Sequence, residues 1–370
     1  MIQYEESQGI LKGVAVSRNG PRISHLLFAD DILLFVQATK EALLCIRGVL
    51  EKFEAISGLA INCKKSAAIF SKNVDQSTRI ALVLVLGVSI VERHEKYLGL
   101  PTVIGRSKRA VFDHIKSRIW EKMQHWRSKL LSQAGRTVLL KAVIQAVPAY
   151  VMSVFRITNS LLRELESMMA NFFWNHGQPR KIHWVAWRKV CRAKDEGGLG
   201  LRNLKAFNWA MLAKQLWRIV TRPDSLVSQL FKGKYFPDTD IFSAKVPPQA
   251  SYAWRSLMEA RNLIEAGLRW SVGSGASIRL TEDRWLLRPS FFRPTTSFVG
   301  WRNGAAVTGV MDAEGAGWDV DLVRALFSPH DADSILVVPV QGRNVDDILL
   351  WHYGSGQVYG EKCVSTGIIT

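Results

Sequence analysis

Apolar positions in the first hundred residues come in short runs broken by turn signals. "GVAVS" (13–17), "RNGP" (18–21) and "RISHLLF" (22–28) read as strand, Asn-Gly turn and strand. "ILLFV" (32–36) resumes the extended pattern. Thr39 is placed to cap a helix carrying Leu43, Ile46, Leu50 and Phe53 on one face, with Gly58 as its end. "LAINCKKSAAIF" (59–70) predicts two short strands around a basic turn, residues 75–86 a further helix, and "EKYLGLP" (95–101) another extended piece.

From Ser107 the period changes to that of helices. Val111, Phe112, Ile115, Ile119 and Met123 recur at helical spacing, while Lys116, Arg118 and Lys122 take other positions. Helices are predicted over 134–153, kinked or ended near Pro148, and over 159–174 and 205–220. "DEGGLGLRNL" (195–204) lies between the last two and matches no phosphate-binding glycine loop, so it reads as a turn. Beyond residue 236 the apolar positions scatter among Gly, Pro and Ser. The pattern predicts an α/β region over 1–100, a mainly α region over 101–235 and a weakly structured α+β segment over 236–370.

Charge sharpens this division. Residues 101–235 hold 25 Lys and Arg against 7 Asp and Glu; the rest of the chain holds 24 against 25, so the block carries the whole +17 excess. Such a block fits a polyanion, nucleic acid before acidic membrane, or else a set of solvated helix faces. Arg106, Lys108, Arg109, Lys116, Arg118, Lys122, Arg127, Lys129, Arg136 and Lys141 are its candidate phosphate contacts. Seven of the 13 tryptophans fall in the block: Trp120, Trp126, Trp174, Trp184, Trp187, Trp209 and Trp217. They serve either helix packing or base stacking.

The longest apolar stretch, "IALVLVLGVSIV" (80–91), is too short to span a bilayer, and no secretory signal is visible. Cys45, Cys63, Cys191 and Cys363 are widely spaced and read as reduced intracellular thiols. His176, His183 and Cys191 have no zinc-finger spacing and lack a fourth ligand, so no zinc is expected.

The chemistry sits in "SHLLFADDILLF" (24–35), where Asp30 and Asp31 interrupt an apolar run. Adjacent carboxylates repel, and a hard divalent cation such as Mg²⁺ or Mn²⁺ offsets that repulsion. The plainer reading is that Asp-Asp suits a tight turn.

This segment resembles the FADD variant of the catalytic box of reverse transcriptases, in the form seen in plant LINE-type (non-LTR) retrotransposons. Downstream order agrees. "SGLAINCKKSAAIF" resembles the following polymerase motif through Gly58, Leu59, Asn62, Lys65 and Ser66, and "KYLGLP" resembles the primer grip through Tyr97, Leu98 and Gly99. "LSQAGRTVLLKAVIQAVPAY", "NFFWN", "HWVAWRKVC" and "EGGLGLRNLKAFNWAMLAKQLWR" look like the post-polymerase region of the same elements. The resemblance covers about residues 10–236 and thins beyond them.

The resemblance implies a partial polymerase palm, its FADD hairpin flanked by helices, over 1–100. A basic thumb and extension would follow over 101–235, then a segment like the one that precedes a Cys/His region. Asp30 and Asp31 would be catalytic metal ligands for Mg²⁺ or Mn²⁺. Lys65 would be the general acid or a triphosphate contact, or else a solvated turn lysine. Tyr97, Leu98 and Gly99 would position the primer end. RNA and DNA template-primer and deoxynucleoside triphosphates would be the partners, in the nucleus, with no membrane. In the family another metal-binding aspartate lies on a strand well upstream. Only 29 residues precede Asp30 here, so residues 1–370 are expected to be catalytically incomplete. A non-catalytic nucleic-acid-binding protein and a group II intron maturase-like protein are the alternatives.

Overall fold

Thr39 and Gly58 bracket the first long helix. Thr39 accepts a hydrogen bond from Ala42 N, and Gly58 ends the helix in the left-handed conformation at φ 70°. The computed structural model describes residues 1–370 except 19, 106, 128–130, 175–181, 289–291, 297–303 and 354–370. The chain divides into two compact units, residues 1–107 with 222–245, and residues 108–221 with 246–370.

In the first unit, α1 (Ile2–Ser7), α2 (Lys40–Ser57) and α3 (Gln76–Leu86) enclose a small core of Leu11, Ala42, Leu43, Ile46 and Leu82. Asp75 caps α3 by accepting from Thr78 N, and Gly87 ends it at φ 68°. Among the described residues the strands pair in twos: β1 (Val14–Ala15) with β2 (Arg22–Ile23), β3 (His25–Phe28) with β4 (Asp31–Leu34), β5 (Ala67–Ala68) with β6 (Ser89–Ile90), and β7 (Lys96–Tyr97) with β8 (Leu100–Pro101). The segment 59–70 holds one strand rather than the two predicted, because a turn at 63–65 follows directly on an irregular stretch. Helix α10 (Leu226–Tyr235) also belongs to this unit. A side chain at Gly233 would meet Ser17 and the backbone of Gly20, so the glycine lets this helix approach the 17–20 turn.

The second unit is built on α4 (Lys108–Arg127), α5 (Gln133–Leu139), α6 (Ala149–Met152), α7 (Asn159–Trp174), α8 (Trp187–Val190) and α9 (Leu204–Thr221). Phe112, Ile115, Ile119 and Met123 form the buried stripe of α4, as their spacing predicts, and α4 packs on α7. The predicted kink near Pro148 falls earlier. Leu140–Ile144 forms a π-helical turn, closed by Gln145 N donating to Leu140 O, before Pro148 starts α6.

Two buried amides join this unit together. Asn208 accepts from Ile157 N and donates to the carbonyls of Met152 and Phe155. Gln145 pairs with both the N–H and the C=O of Arg202, as a neighbouring strand would.

The C-terminal part of this unit departs from the weakly structured segment expected. Helices α11 (Tyr252–Glu259), α12 (Arg261–Gly267), α13 (Val320–Leu326) and α14 (Pro329–Leu336) accompany β9 (Leu268–Ser271) and its partner β10 (Ile348–Trp351). Val272, Ile278, Leu280, Trp285, Val307, Val310, Val323 and Ile335 make a core drawn from loops as much as from helices. That origin explains why the apolar residues show no period. Polar clamps order the loops. Asp347 accepts from Gly273 N, Gly275 N and Ser277 N, and Asp331 binds Arg288, Thr295 and Thr296. Residues 354–370 lie outside the described residues.

Candidate catalytic turn and nucleic-acid interface

β3 and β4 form a hairpin with a two-residue tip, since Phe28 pairs with Asp31 across it. Ala29 and Asp30 make the turn, and Ala29 takes φ 52°, a left-handed conformation that disfavours a residue with a Cβ. Asp30 and Asp31 are both exposed at the tip. So are their apolar neighbours: Leu27 and Phe28 are each 61% exposed. The base of the hairpin is held differently. Leu34 and Val36 pack against the α2–α3 core, and Phe35 N donates to Ser24 O at 2.6 Å. The aspartates thus stand on an anchored stalk whose outer half pairs with no third strand among the described residues.

This donor set fits part of a divalent-cation site. Two carboxylates suit Mg²⁺ or Mn²⁺, whose shells usually include water and substrate phosphate. Among the described residues no three His, Cys, Asp or Glu side chains group to hold an ion. The hairpin therefore offers two exposed carboxylates, and a pair of ions would need more ligands than these.

Lys65 lies in a separate turn. Its N–H donates to Asn62 Oδ1 at 3.1 Å, while Ser66 Oγ donates to Asn62 O at 3.0 Å. Its side chain is exposed, and no ion pair joins it to Asp30 or Asp31 among the described residues. Asn62 and Ser66 thus have a clear task as the turn's brace.

Tyr97, Leu98 and Gly99 form a second tight hairpin, in which Tyr97 pairs with Leu100. Leu98 at φ 49° and Gly99 at φ 76° give the two positive angles of a type I′ turn. Both motif hairpins therefore hold a non-glycine residue in the left-handed region.

The candidate phosphate contacts sort into groups. Arg118 and Lys122 are exposed on α4. Arg109 and Lys116 both bind Glu164 at 2.8 Å, and Lys108 lies over the Tyr252 ring at 4.9 Å. The hydrogen bond from Lys116 holds the Glu164 carboxyl below its ordinary pKa. Lys141 is half-buried.

Arg136 requires a correction. It is 6% exposed and donates to the carbonyls of Phe172 and Leu131, so its charge serves the fold rather than a phosphate. Helical periodicity gave no sign of this, because a cation with carbonyl partners occupies a core position like an apolar residue. Arg106, Lys129 and the Arg127 side chain lie outside what is described.

The tryptophans separate as well. Trp126 packs on Phe172, Trp174 and Trp187 on Phe173, Trp209 under Arg156, and Trp217 is buried. Trp120 and Trp184 are exposed. The Cys191 thiol, pushed up to about 12 by burial and by the nearby Glu166 charge, faces the Arg202 carbonyl at 3.8 Å. His176 lies outside the described residues. No helix among the described residues is long and apolar enough to cross a membrane.

No protein-family profile matches the chain. Two plant proteins do. An uncharacterized mitochondrial protein of Arabidopsis thaliana is 43% identical over 144 residues, which cover 38% of this chain and 94% of that protein. A putative ribonuclease H protein of the same plant is 35% identical over 191 residues, which cover 50% of this chain and 31% of that protein. The chain belongs to the family of the mitochondrial protein. It spans about a third of the ribonuclease H relative's length.

Proposed function

We propose that this chain is part of an RNA-directed DNA polymerase of a plant non-LTR retrotransposon, and that it contributes one half of the catalytic metal site and a basic helical surface for template-primer. The observation that carries this reading is the FADD hairpin, whose Ala29–Asp30 turn leads into Asp31 at the start of β4 and leaves both aspartates exposed above an anchored base. The order of the later motifs supports it, as does a relative named as a ribonuclease H, an enzyme class that acts on nucleic acid.

On this reading Asp30 and Asp31 hold Mg²⁺ or Mn²⁺, the Tyr97–Gly99 turn places the primer end, and Lys65 approaches the triphosphate of the incoming nucleotide. A bound ion would neutralise developing charge on the transferred phosphoryl group. In-line transfer with two ions needs carboxylates from more than one strand. Residues 1–370 alone are therefore expected to bind nucleic acid without extending a primer. The nucleus is the location that accompanies this reading.

A non-catalytic nucleic-acid-binding protein is the second reading, favoured by the absence of a third convergent ligand among the described residues. Primer extension separates the two. The chain alone should give no product with either ion, whereas fusion behind the upstream palm and fingers of a related element should restore extension. In that fusion Asp30→Ala should abolish extension, and Lys65→Ala should slow it with template binding intact. Extension that survives Asp30→Ala overturns the metal assignment. A well-folded fusion that binds template without extending it favours the second reading.

A further inference from the structure

Six of the seven tryptophans in the basic block are packed, paired with a ring or cation, or only half exposed. The seventh is Trp184, which is 77% exposed. Ile182 and Val185 beside it are also exposed, at 70% and 40%. An indole left this open forgoes the burial that ordinarily favours a large apolar side chain. The fold does not need it there for packing.

The segment carrying it is tied down on both sides. His183 stacks on the Trp174 ring, with centroids 6.5 Å apart and planes at 27°. On the other side Trp187 packs edge-on against Phe173, and α8 ends at the buried Val190. The loop beyond folds back: Leu199 N donates to Val190 O and Gly200 N to Arg192 O. A Cβ at Gly198 would collide with the Arg192 carbonyl, so that close approach requires glycine. Trp184 is thus an exposed ring on a fixed backbone.

Its charge surroundings are mainly positive: from Ile182 to Glu196 four Lys and Arg stand against Asp195 and Glu196, which close the run. Between Ile182 and Lys194 the cations are Arg188, Lys189, Arg192 and Lys194, and no Asp or Glu occurs. All four are exposed, and none is in an ion pair among the described residues. Arg109 and Lys116 of α4, by contrast, spend their charge on Glu164. An open aromatic face beside unpaired cations matches an unpaired base with its flanking phosphates: the ring stacks, the cations neutralise the backbone, and no base edge is read. A duplex keeps its base faces inside the stack and offers only the phosphates.

We propose that Trp184, with Arg188, Lys189 and Arg192, is a stacking site for single-stranded nucleic acid. The inference rests on the nucleic-acid reading above and deepens it, because it names the form of the polymer this face engages.

The test compares the full chain with Trp184→Leu, Trp184→Phe and Arg188→Gln/Lys189→Gln. Binding is followed by anisotropy of a labelled single-stranded oligonucleotide, and of a duplex of equal length, at fixed salt. Trp184→Leu should weaken single-strand binding by about 5- to 100-fold, the range that stacking of one base supplies, and leave duplex binding within about twofold. Trp184→Phe should keep most of the affinity. The Arg188→Gln/Lys189→Gln chain should weaken both and lower the salt dependence.

If the unaltered chain binds neither oligonucleotide, the broader nucleic-acid reading fails and this inference with it. If it binds both and Trp184→Leu weakens neither, or weakens both equally, only the stacking site is overturned. If Trp184→Leu instead abolishes binding to anionic lipid vesicles while sparing the oligonucleotides, the patch is a membrane contact and the inference is overturned.

Discussion

The first unit displays its candidate chemistry on two-stranded hairpins, the FADD one flanked by exposed apolar residues, whereas the second buries several polar side chains. Asp30 and Asp31 stand in solvent beside Phe28 and Leu27, and only the base of their hairpin meets a core. In the second unit Asn208, Gln145 and Asp331 are almost wholly buried, each with backbone partners. The contrast separates two reasons for a distinctive sequence. Letters such as "FADD" mark groups presented outward. Letters such as "QAVPAY" and "FNWAM" mark groups that hold the backbone together. Substitution should therefore leave stability nearly unchanged in the first case and damage it in the second.

The sharpest break in stability is expected at Asp331. Asp331→Ala leaves Arg288 in a largely buried place without its carboxylate, which typically destabilises by about 3–5 kcal/mol. Urea denaturation would show it, and a loss below about 1 kcal/mol would mean that Arg288 finds another partner. The same group predicts acid sensitivity. Burial pushes the Asp331 pKa up, but hydrogen bonds from Thr296, Arg288 and Thr295 outweigh that and set it at about 2. A depressed carboxylate stabilises fully above its unfolded pKa of about 4, and the contribution is lost as pH falls toward the folded value. The wild type should lose this increment between about pH 4 and pH 2, and Asp331→Ala should show a shallower decline over that window.

Asn208→Ala comes next. It removes three hydrogen bonds at a position 1% exposed and leaves Ile157 N and two carbonyls unpaired, an expected loss of about 3 kcal/mol. A thermal melt that moves by less than a degree would show that water replaces the amide. In the first unit the backbone is the more sensitive target. Gly58→Ala at the left-handed end of α2 should destabilise by about 1 kcal/mol. The smallest effect belongs to Asp30→Ala, expected within about 0.5 kcal/mol of wild type because the side chain is exposed at a turn. A large loss there would place the aspartates in the fold's support and erase the contrast.

Legibility in the sequence follows the same division. Helices α2 and α3 could be read to their ends because Thr39, Asp75, Gly58 and Gly87 act locally. Helices α4 and α7 were legible because one apolar face meets one core, and α9 because apolar residues recur along its whole length and around it. The Leu140–Ile144 π-turn was not, since it depends on where Gln145 must reach to meet Arg202, 57 residues away. The core around Trp285 was hidden for a similar reason: loops have no period, and their order depends on Asp347 and Asp331 binding distant backbone. Of the site, the turn at Asp30 and Asp31 could be read from its letters, but the exposure of Leu27 and Phe28 could not. Among the described residues β3 and β4 pair only with each other, which leaves those side chains uncovered.

The most direct measurement of whether the second unit's exposed cations serve a polyanion is the salt dependence of nucleic-acid affinity for the full chain. If about 5–8 phosphates are contacted, affinity should fall by several orders of magnitude between about 50 and 200 mM salt, with little preference for sequence. Replacing Arg118, Lys122, Arg188 and Lys189 with glutamine should reduce the slope by roughly 3–4. Asp30→Ala with Asp31→Ala should leave the slope unchanged. An affinity nearly independent of salt, or a slope that the four glutamines do not alter, would contradict the account.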